Sequence, residues 1–385
     1  VSGATTIVDR AGPGCDHRSV DDQRSSGAEL LAAVIAEPED VERRLVYADW
    51  LLAQGDPQGE LIHLCERKRA LQRRDPRLQA RIRQLEREHG RRIAGLIGEH
   101  AHHYQLDRGF VSTAEMSAIA FASHGEQMLR EHPLGRLGLL KYTVREIERL
   151  VEAPALPELQ GLQLRRGEPM PFTTLCESTP FDSLRNFEVW GWSAIGDPLD
   201  AFARWRAPRL RALTLYKVEN ADRIVAGLAR NELVRLRSLC LGLPEAGEGM
   251  TAMFDDPAFS QLESLQLLRS RGRTGGLAEL LERAELPALR ELTIDDAYPV
   301  ERLDRWRLRK LSLRGPIDAR AFERLLASQP DLAQLEITEM APVEINRSLA
   351  LALELPSNHT LTYLFLPHEG ADPRLLARAK QRFRR

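Results

Sequence analysis

Apolar residues recur along this chain in one spaced pattern, L-x-x-L-x-x-L-x-L, seen in full at Leu156, Leu159, Leu162 and Leu164. It returns at Phe181, Leu184, Phe187 and Val189, and at Leu233, Leu236, Leu239 and Leu241. Further copies are Phe259, Leu262, Leu265, Leu267 and Leu286, Leu289, Leu292, Ile294. Shorter forms close on Leu213, Leu311, Leu335 and Leu364, and upstream forms on Ala114 and Leu140. Taking the first residue of each closing L-x-L as an anchor, the spacings are 26, 22, 25, 26, 26, 26, 27, 19, 24 and 29. The alternating L-x-L end predicts a short strand with one buried face. The stretches 222–230, 276–284 and 318–327 predict helices; in the last, Phe322, Leu325 and Leu326 form one apolar helical face. A strand and a helix in about 25 residues make one turn of a repeat that buries its apolar face only by stacking on its neighbours. The expected fold class is α/β, a solenoid with a parallel sheet.

This pattern resembles the leucine-rich repeat family over residues 109–370. The resemblance implies a horseshoe with a parallel sheet on the concave face, helices on the convex face, and a non-catalytic protein-binding role. One feature departs from the family. Three residues after the L-x-L, where the family places Asn or Cys, stand Gly167, Trp192, Val218, Pro244, Ser270, Ala297, Pro316, Met340 and Glu369. The loops must close their hydrogen bonds in another way.

Residues 1–27 are rich in Gly, Ser and Asp and read as a flexible tail. Residues 28–108 read as helical: 29–36, 41–54, 58–71 with Asp56 as cap and Pro57 at its first position, 75–88, and 93–104. Val46 and Trp50 are expected on the core face of the second of these, and Asp49 is expected to bond a neighbouring backbone group or arginine. The strings Glu29-Leu-Leu-Ala-Ala-Val-Ile-Ala-Glu-Pro-Glu-Asp, Arg44-Leu-Val-Tyr-Ala-Asp-Trp-Leu, Gly55-Asp-Pro-Gln-Gly-Glu-Leu-Ile and Arg108-Gly-Phe-Val resemble the bacterial repeat-companion domain. That resemblance implies a bacterial protein and, here, an all-helical cap on the repeats. Residues 371–385 read as a basic helix or tail.

Composition sharpens the picture in a few places. There are 61 leucines among 385 residues, roughly one in six, and only 5 of the 54 basic residues are lysine. With 56 acidic residues the formal charge is −2. No apolar run is long enough for a transmembrane helix, and the N-terminal residues lack the apolar stretch of a secretory signal. Cys15, Cys65, Cys176 and Cys240 are dispersed with no CxxC pair, so neither structural zinc nor a disulfide framework is expected, and a cytoplasmic location fits.

Residues flanking the strand leucines are expected to face outward. Gln163, Arg165, Glu188, Trp190, Trp192, Thr214, Tyr216, Gln266, Leu268, Asp295 and Arg314 are the candidate protein-binding set, with Cys240, Gly242, Thr293 and Ser312 in the same rows. Stacking places Trp190 beside Tyr216, and exposed Trp and Tyr are typical anchors. The span 67–92 carries a net charge of +8, making Arg69, Arg73, Arg77 and Arg81 candidate anion-binding residues. His100 and His103 fall at i, i+3 on an expected helix, but no constellation completes a metal site, and no cofactor is expected. No P-loop, G-x-S-x-G or H-E-x-x-H motif occurs, so an enzyme is not expected. The chain reads as a scaffold for an unidentified protein partner, with no membrane partner. The alternatives are a nucleic-acid or acidic-surface binder, and a regulatory subunit, substrate receptor or protease target in a bacterial signalling or defence assembly.

Overall fold

A computed structural model describes residues 20–71, 75–165, 170–178, 181–192, 194–195, 198–218, 221–231, 236–243, 259–269, 281, 284–295, 300–356 and 359–383. The chain divides into two compact units. The first is Val1–Gly98 with Leu106–Val111 and Arg130–Pro133; the second is Glu99–Gln105, Ser112–Leu129 and Leu134–Arg385.

The first unit is built on helices α1 (Val20–Ala36), α2 (Val41–Ala53), α3 (Pro57–Ala70) and α4 (Pro76–Ile93). Asp40, Asp56 and Asp75 cap α2, α3 and α4 by accepting from backbone N–H groups two or three residues on, and Pro57 and Pro76 open their helices. Helix α1 starts at Val20, ahead of the expected entry near Ala28, and α4 runs past Glu88 to Ile93. The core face of α2 is Arg44, Tyr47, Ala48 and Leu51, at helical spacing. Val46 is 48% exposed, so it does not belong to the core as expected; Trp50 packs only at its margin. Asp49 bonds His63 Nε2 at 2.8 Å.

Two arginines and a glutamate lie buried in this unit. Arg108 donates from Nε to Glu66 at 2.6 Å and from Nη1 to Glu39 at 3.0 Å. Arg44 donates to the Pro38 carbonyl at 2.6 Å and to the Arg108 carbonyl at 3.3 Å, with its guanidinium 5.2 Å from the Phe110 ring centre. Such pairing is what makes buried charge tolerable. His132 is also buried, and its Nδ1 accepts from the Val111 N–H at 3.4 Å. Burial pushes its pKa down to about 4, against an opposing hydrogen bond to the Ala94 backbone.

The expected helix over 93–104 is instead α5 (Gly95–His100) followed by strand β1 (His103–Asp107). In β1 exposure alternates residue by residue, the period of a strand. His100 and His103 therefore do not share a helix face; His100 stacks on His124 with ring centres 4.5 Å apart.

The second unit carries the repeats. Strands β2 (Phe110–Met116), β3 (Arg136–Leu140), β4 (Gly161–Arg165), β6 (Asn186–Trp192), β8 (Ala212–Val218), β9 (Ser238–Leu243), β10 (Ser264–Arg269), β11 (Glu291–Ile294), β12 (Lys310–Pro316), β13 (Gln334–Glu339) and β14 (Tyr363–Phe365) join β1 in one sheet, in chain order. The short strands β5 (Met170–Pro171) and β7 (Ala194–Ile195) pair separately. From β2 to β14 every pairing in the long sheet is parallel. One row of partners runs Ala114, Leu137, Leu162, Phe187, Leu213, Leu239, Leu265, Leu292, Leu311, Leu335 and Leu364. All but Leu364 are buried. These are the sequence anchors with one correction: the second is Leu137, not Leu140. The spacings of 26 and 22 become 23 and 25. Leu140 is paired with Arg165 on the outward row, because Lys141 turns the chain out of the strand with φ of 53°.

Helices α6 (Ala118–Glu131), α7 (Val144–Val151), α8 (Phe172–Ser178), α9 (Pro198–Ala203), α10 (Ala221–Ala229), α11 (Ala319–Ser328), α12 (Pro342–Glu354) and α13 (Pro373–Arg382) alternate with the strands. Phe322, Leu325 and Leu326 are buried as expected. The helix expected at 276–284 lies almost wholly outside the described residues.

The missing asparagine ladder has a replacement, placed after the helices rather than after the strands. Asn231 is buried and donates to the Phe202 and Trp205 carbonyls of the preceding repeat, at 3.0 and 2.7 Å. Gln329 does the same to Leu303 and Trp306, at 2.7 and 3.0 Å, and accepts from the Leu308 N–H at 2.9 Å. Arg305 reaches Leu281 and Ala284 in this way, and Arg382 reaches Leu353 and Leu355. Each side chain supplies a donor to carbonyls of the preceding turn, some of which also accept a backbone N–H of that turn.

Two measurements check these assignments. Gln329→Met keeps the volume but strands the buried Trp306 carbonyl and Leu308 N–H, each worth about 1–3 kcal/mol when unsatisfied, and leaves the Leu303 carbonyl with the Trp306 N–H alone. Urea unfolding should show a loss of about 2 kcal/mol or more, and the Leu308 amide should exchange faster; an unchanged midpoint refutes the role. For His132, the folded pKa lies below the unfolded 6.5, so the unfolded chain takes up a proton first as pH falls. Stability should drop between pH 6.5 and pH 4 by an amount approaching roughly 3 kcal/mol, and His132→Phe should flatten that part of the profile.

Candidate functional site

Because strand side chains alternate, the leucines of each L-x-L point into the core and the residues between and after them take the opposite face. In-register pairing then builds two outward rows. One runs Gly138, Gln163, Glu188, Thr214, Cys240, Gln266, Thr293 and Ser312; the other runs Leu140, Arg165, Trp190, Tyr216, Gly242 and Leu268.

The second row contains a connected cluster. The Trp190 and Tyr216 rings lie 4.9 Å apart between centres, tilted by 45°. Arg165 sits over the Trp190 ring at 5.3 Å and pairs with Glu115 at 3.2 Å. Glu188 accepts from Gln163 Nε2 at 2.5 Å, from Trp190 Nε1 at 3.3 Å and from Arg136 at 3.3 Å. The indole is thus held at its face by a cation and at its edge by a carboxylate. Tyr216 lies across Gly242, where an added Cβ would fall 2.3 Å from the ring, so only glycine allows this placement.

Beside the rings each strand ends at or next to a left-handed residue: Lys141 (φ 53°) just after β3, and Gly191 (φ 65°) and Lys217 (φ 54°) one residue before the ends of β6 and β8. Non-glycine residues rarely hold this conformation, at a cost of about 1 kcal/mol or more. Together with Glu115, Leu140, Arg165, Trp190 and Tyr216 these three residues line a cleft of about 530 Å³. The Lys217 ammonium lies 5.5 Å from the Tyr216 ring centre.

The structure therefore brings Arg165, Glu188, Trp190 and Tyr216 together, with Thr214 half-buried alongside. Gln163, expected to face outward, is only 4% exposed, because its amide is drawn under Glu188; Ser312 is buried as well. Gln266 and Leu268 continue the rows on β10, with Leu268 beside Gly242. Asp295 and Arg314 form a separate ion pair at 3.5 Å beyond them. Trp192 pairs with Val218 in the ladder, and its side chain lies outside the described residues. Cys240 is pushed up to about 11 by burial and by Glu188, against a hydrogen bond from Thr214, so its thiol stays protonated at neutral pH.

Glu115, Lys141, Gly191 and Lys217 were not singled out from the sequence. Their signal was a glycine at 191 in repeat register with two of the chain's five lysines. That register marks a left-handed position at the end of the strand.

Three arginines of the basic helices are paired with carboxylates. Arg81 is held by both carboxylate oxygens of Glu60, at 2.7 Å each, and Arg92 by both of Asp56. Arg69 lies 3.4 Å from Glu39; Arg77 is exposed; Arg73 lies outside the described residues. Among the described residues no cluster of three His, Cys, Asp or Glu side chains is placed to hold a metal ion, and no helix is long and apolar enough to cross a membrane.

No family model matches the chain, and no curated protein matches its sequence. Among solved structures, an internalin from Listeria monocytogenes is similar to 74% of this chain and 90% of its own, with 14% identity and a TM-score of 0.34.

Proposed function

We propose that this chain is a non-catalytic interaction module that receives a partner protein on the outward face of its sheet, around Trp190 and Tyr216. The observation that carries the reading is the aromatic pair itself. Trp and Tyr combine large apolar area with few rotatable bonds, and dominate the energy of many protein interfaces. Here Arg165, Glu188 and Gly242 hold them in place before any partner arrives, which lowers the ordering cost of binding.

We read the repeat unit as a leucine-rich repeat solenoid and the first unit as a repeat-companion domain that caps it. The one-strand-per-repeat sheet in chain order supports the first reading. Arg44 and Arg108, which come from the strings that resemble the companion domain and are buried around Glu66, support the second. Free cysteines at 65, 176 and 240 fit a reducing bacterial cytoplasm. Arg69, Arg81 and Arg92 are engaged by carboxylates of their own unit, and α3 and α4 carry no Trp, Tyr or Phe on which bases could stack, so protein recognition at the sheet is favoured over nucleic-acid binding through the helices.

Affinity capture from the native cell tests the proposal. Wild-type protein should retain one or more proteins that the double variant Trp190→Ala, Tyr216→Ala does not. The variant's melting temperature should move by no more than a few degrees, since both side chains are only half-buried. Equal capture by both proteins would remove the aromatic pair from the interface.

A further inference from the structure

We propose that the cleft beside Trp190 and Tyr216 recognises an acidic segment of a partner protein, with Asp or Glu side chains at the rim and an apolar side chain on the aromatic floor. The inference rests on the interaction reading above and adds the chemistry of the partner.

The argument is one of charge complementarity. Three cations and one carboxylate line the cleft. Arg165 is already engaged, by Glu115 at 3.2 Å and by the face of Trp190. Glu188, which holds the indole edge, is balanced by Arg136. The floor is thus internally compensated and preorganised. Lys141 and Lys217 remain: both are exposed, and neither has an ion-pair partner among the described residues. They stand at equivalent positions of two repeats, with Gly191 at that position of a repeat between them.

Their backbone makes them notable. Both occupy the left-handed region, where glycine or asparagine is less strained. Only 5 of 54 basic residues in this chain are lysine, and two of the five line this one cleft. Two ammonium groups with no carboxylate partner among the described residues, that of Lys217 resting 5.5 Å from the Tyr216 ring centre, attract carboxylates and repel basic segments. The 45° tilt between the rings does not offer a continuous platform for successive bases, which favours a peptide over single-stranded nucleic acid.

The test uses the full chain and a phage-displayed random dodecapeptide library. Selected peptides should be enriched in Asp and Glu beside an apolar or aromatic residue, should bind more weakly at high salt, and should require Trp190. Lys141→Asn with Lys217→Asn removes both charges while suiting the left-handed backbone, and should weaken binding roughly tenfold or more. Lys141→Glu with Lys217→Glu should abolish binding of the acidic peptide and accept the same peptide with its acidic residues changed to lysine. Peptides that need Trp190 but show no acidic bias, or ignore both lysine variants, overturn this inference and leave the interaction reading standing. A library that yields no Trp190-dependent peptide overturns both. Displacement of the peptide by single-stranded oligothymidylate would assign the cleft to nucleic acid instead.

Discussion

No repeat of this chain can bury its own leucines, and each depends on the neighbouring strand lying parallel and unshifted. Leu162 sits against Phe187, Phe187 against Leu213, and Leu213 against Leu239, one after another across the sheet. A slip of one residue in any pair would send that strand's leucines to solvent and its polar residues into the core. The same register fixes what lies on the other face. Trp190 meets Tyr216 because Phe187 meets Leu213, and Arg165 covers Trp190 because Leu162 meets Phe187. The side-chain arrangement on one face is a by-product of packing on the other.

The first unit solves a different problem, with charge. Its helices are rich in arginine, and ion pairs join them alongside apolar contact. Arg108 bonds two glutamates, and Arg44 spans two backbone carbonyls. Arg81 and Arg92 grip their carboxylates with two bonds each, the geometry for which guanidinium is suited and ammonium is not. Part of a run that reads as a basic patch in sequence is, in three dimensions, a set of cross-links between elements, made by Arg69, Arg81 and Arg92.

Periodicity was the legible part. It located ten of the eleven anchors, the helix over Ala319–Ser328, the Asp56 cap and the meeting of Trp190 with Tyr216. It misplaced the second anchor because Leu137, Leu139 and Leu140 offer competing registers, and only pairing with β4 decides between them. It put Val46 in the core because α2 carries apolar residues around most of its circumference. Gln163 was assigned outward from alternation alone; a long amide can fold down beneath a neighbouring carboxylate, which alternation does not record. Lys141 and Lys217 were missed because Lys141 falls into register with Gly191 and Lys217 only once the second anchor stands at Leu137. The paired arginines of the first unit were hidden because their partners lie 21 and 36 residues away in the chain.

The side chains that close each turn reach backward. Asn231, Arg305, Gln329 and Arg382 all satisfy carbonyls belonging to the repeat before their own. During synthesis a turn therefore emerges without those side-chain donors and is finished only when the next one has been made. Order would advance along the nascent chain one repeat behind the ribosome, and the most recently made turn would always be the least protected.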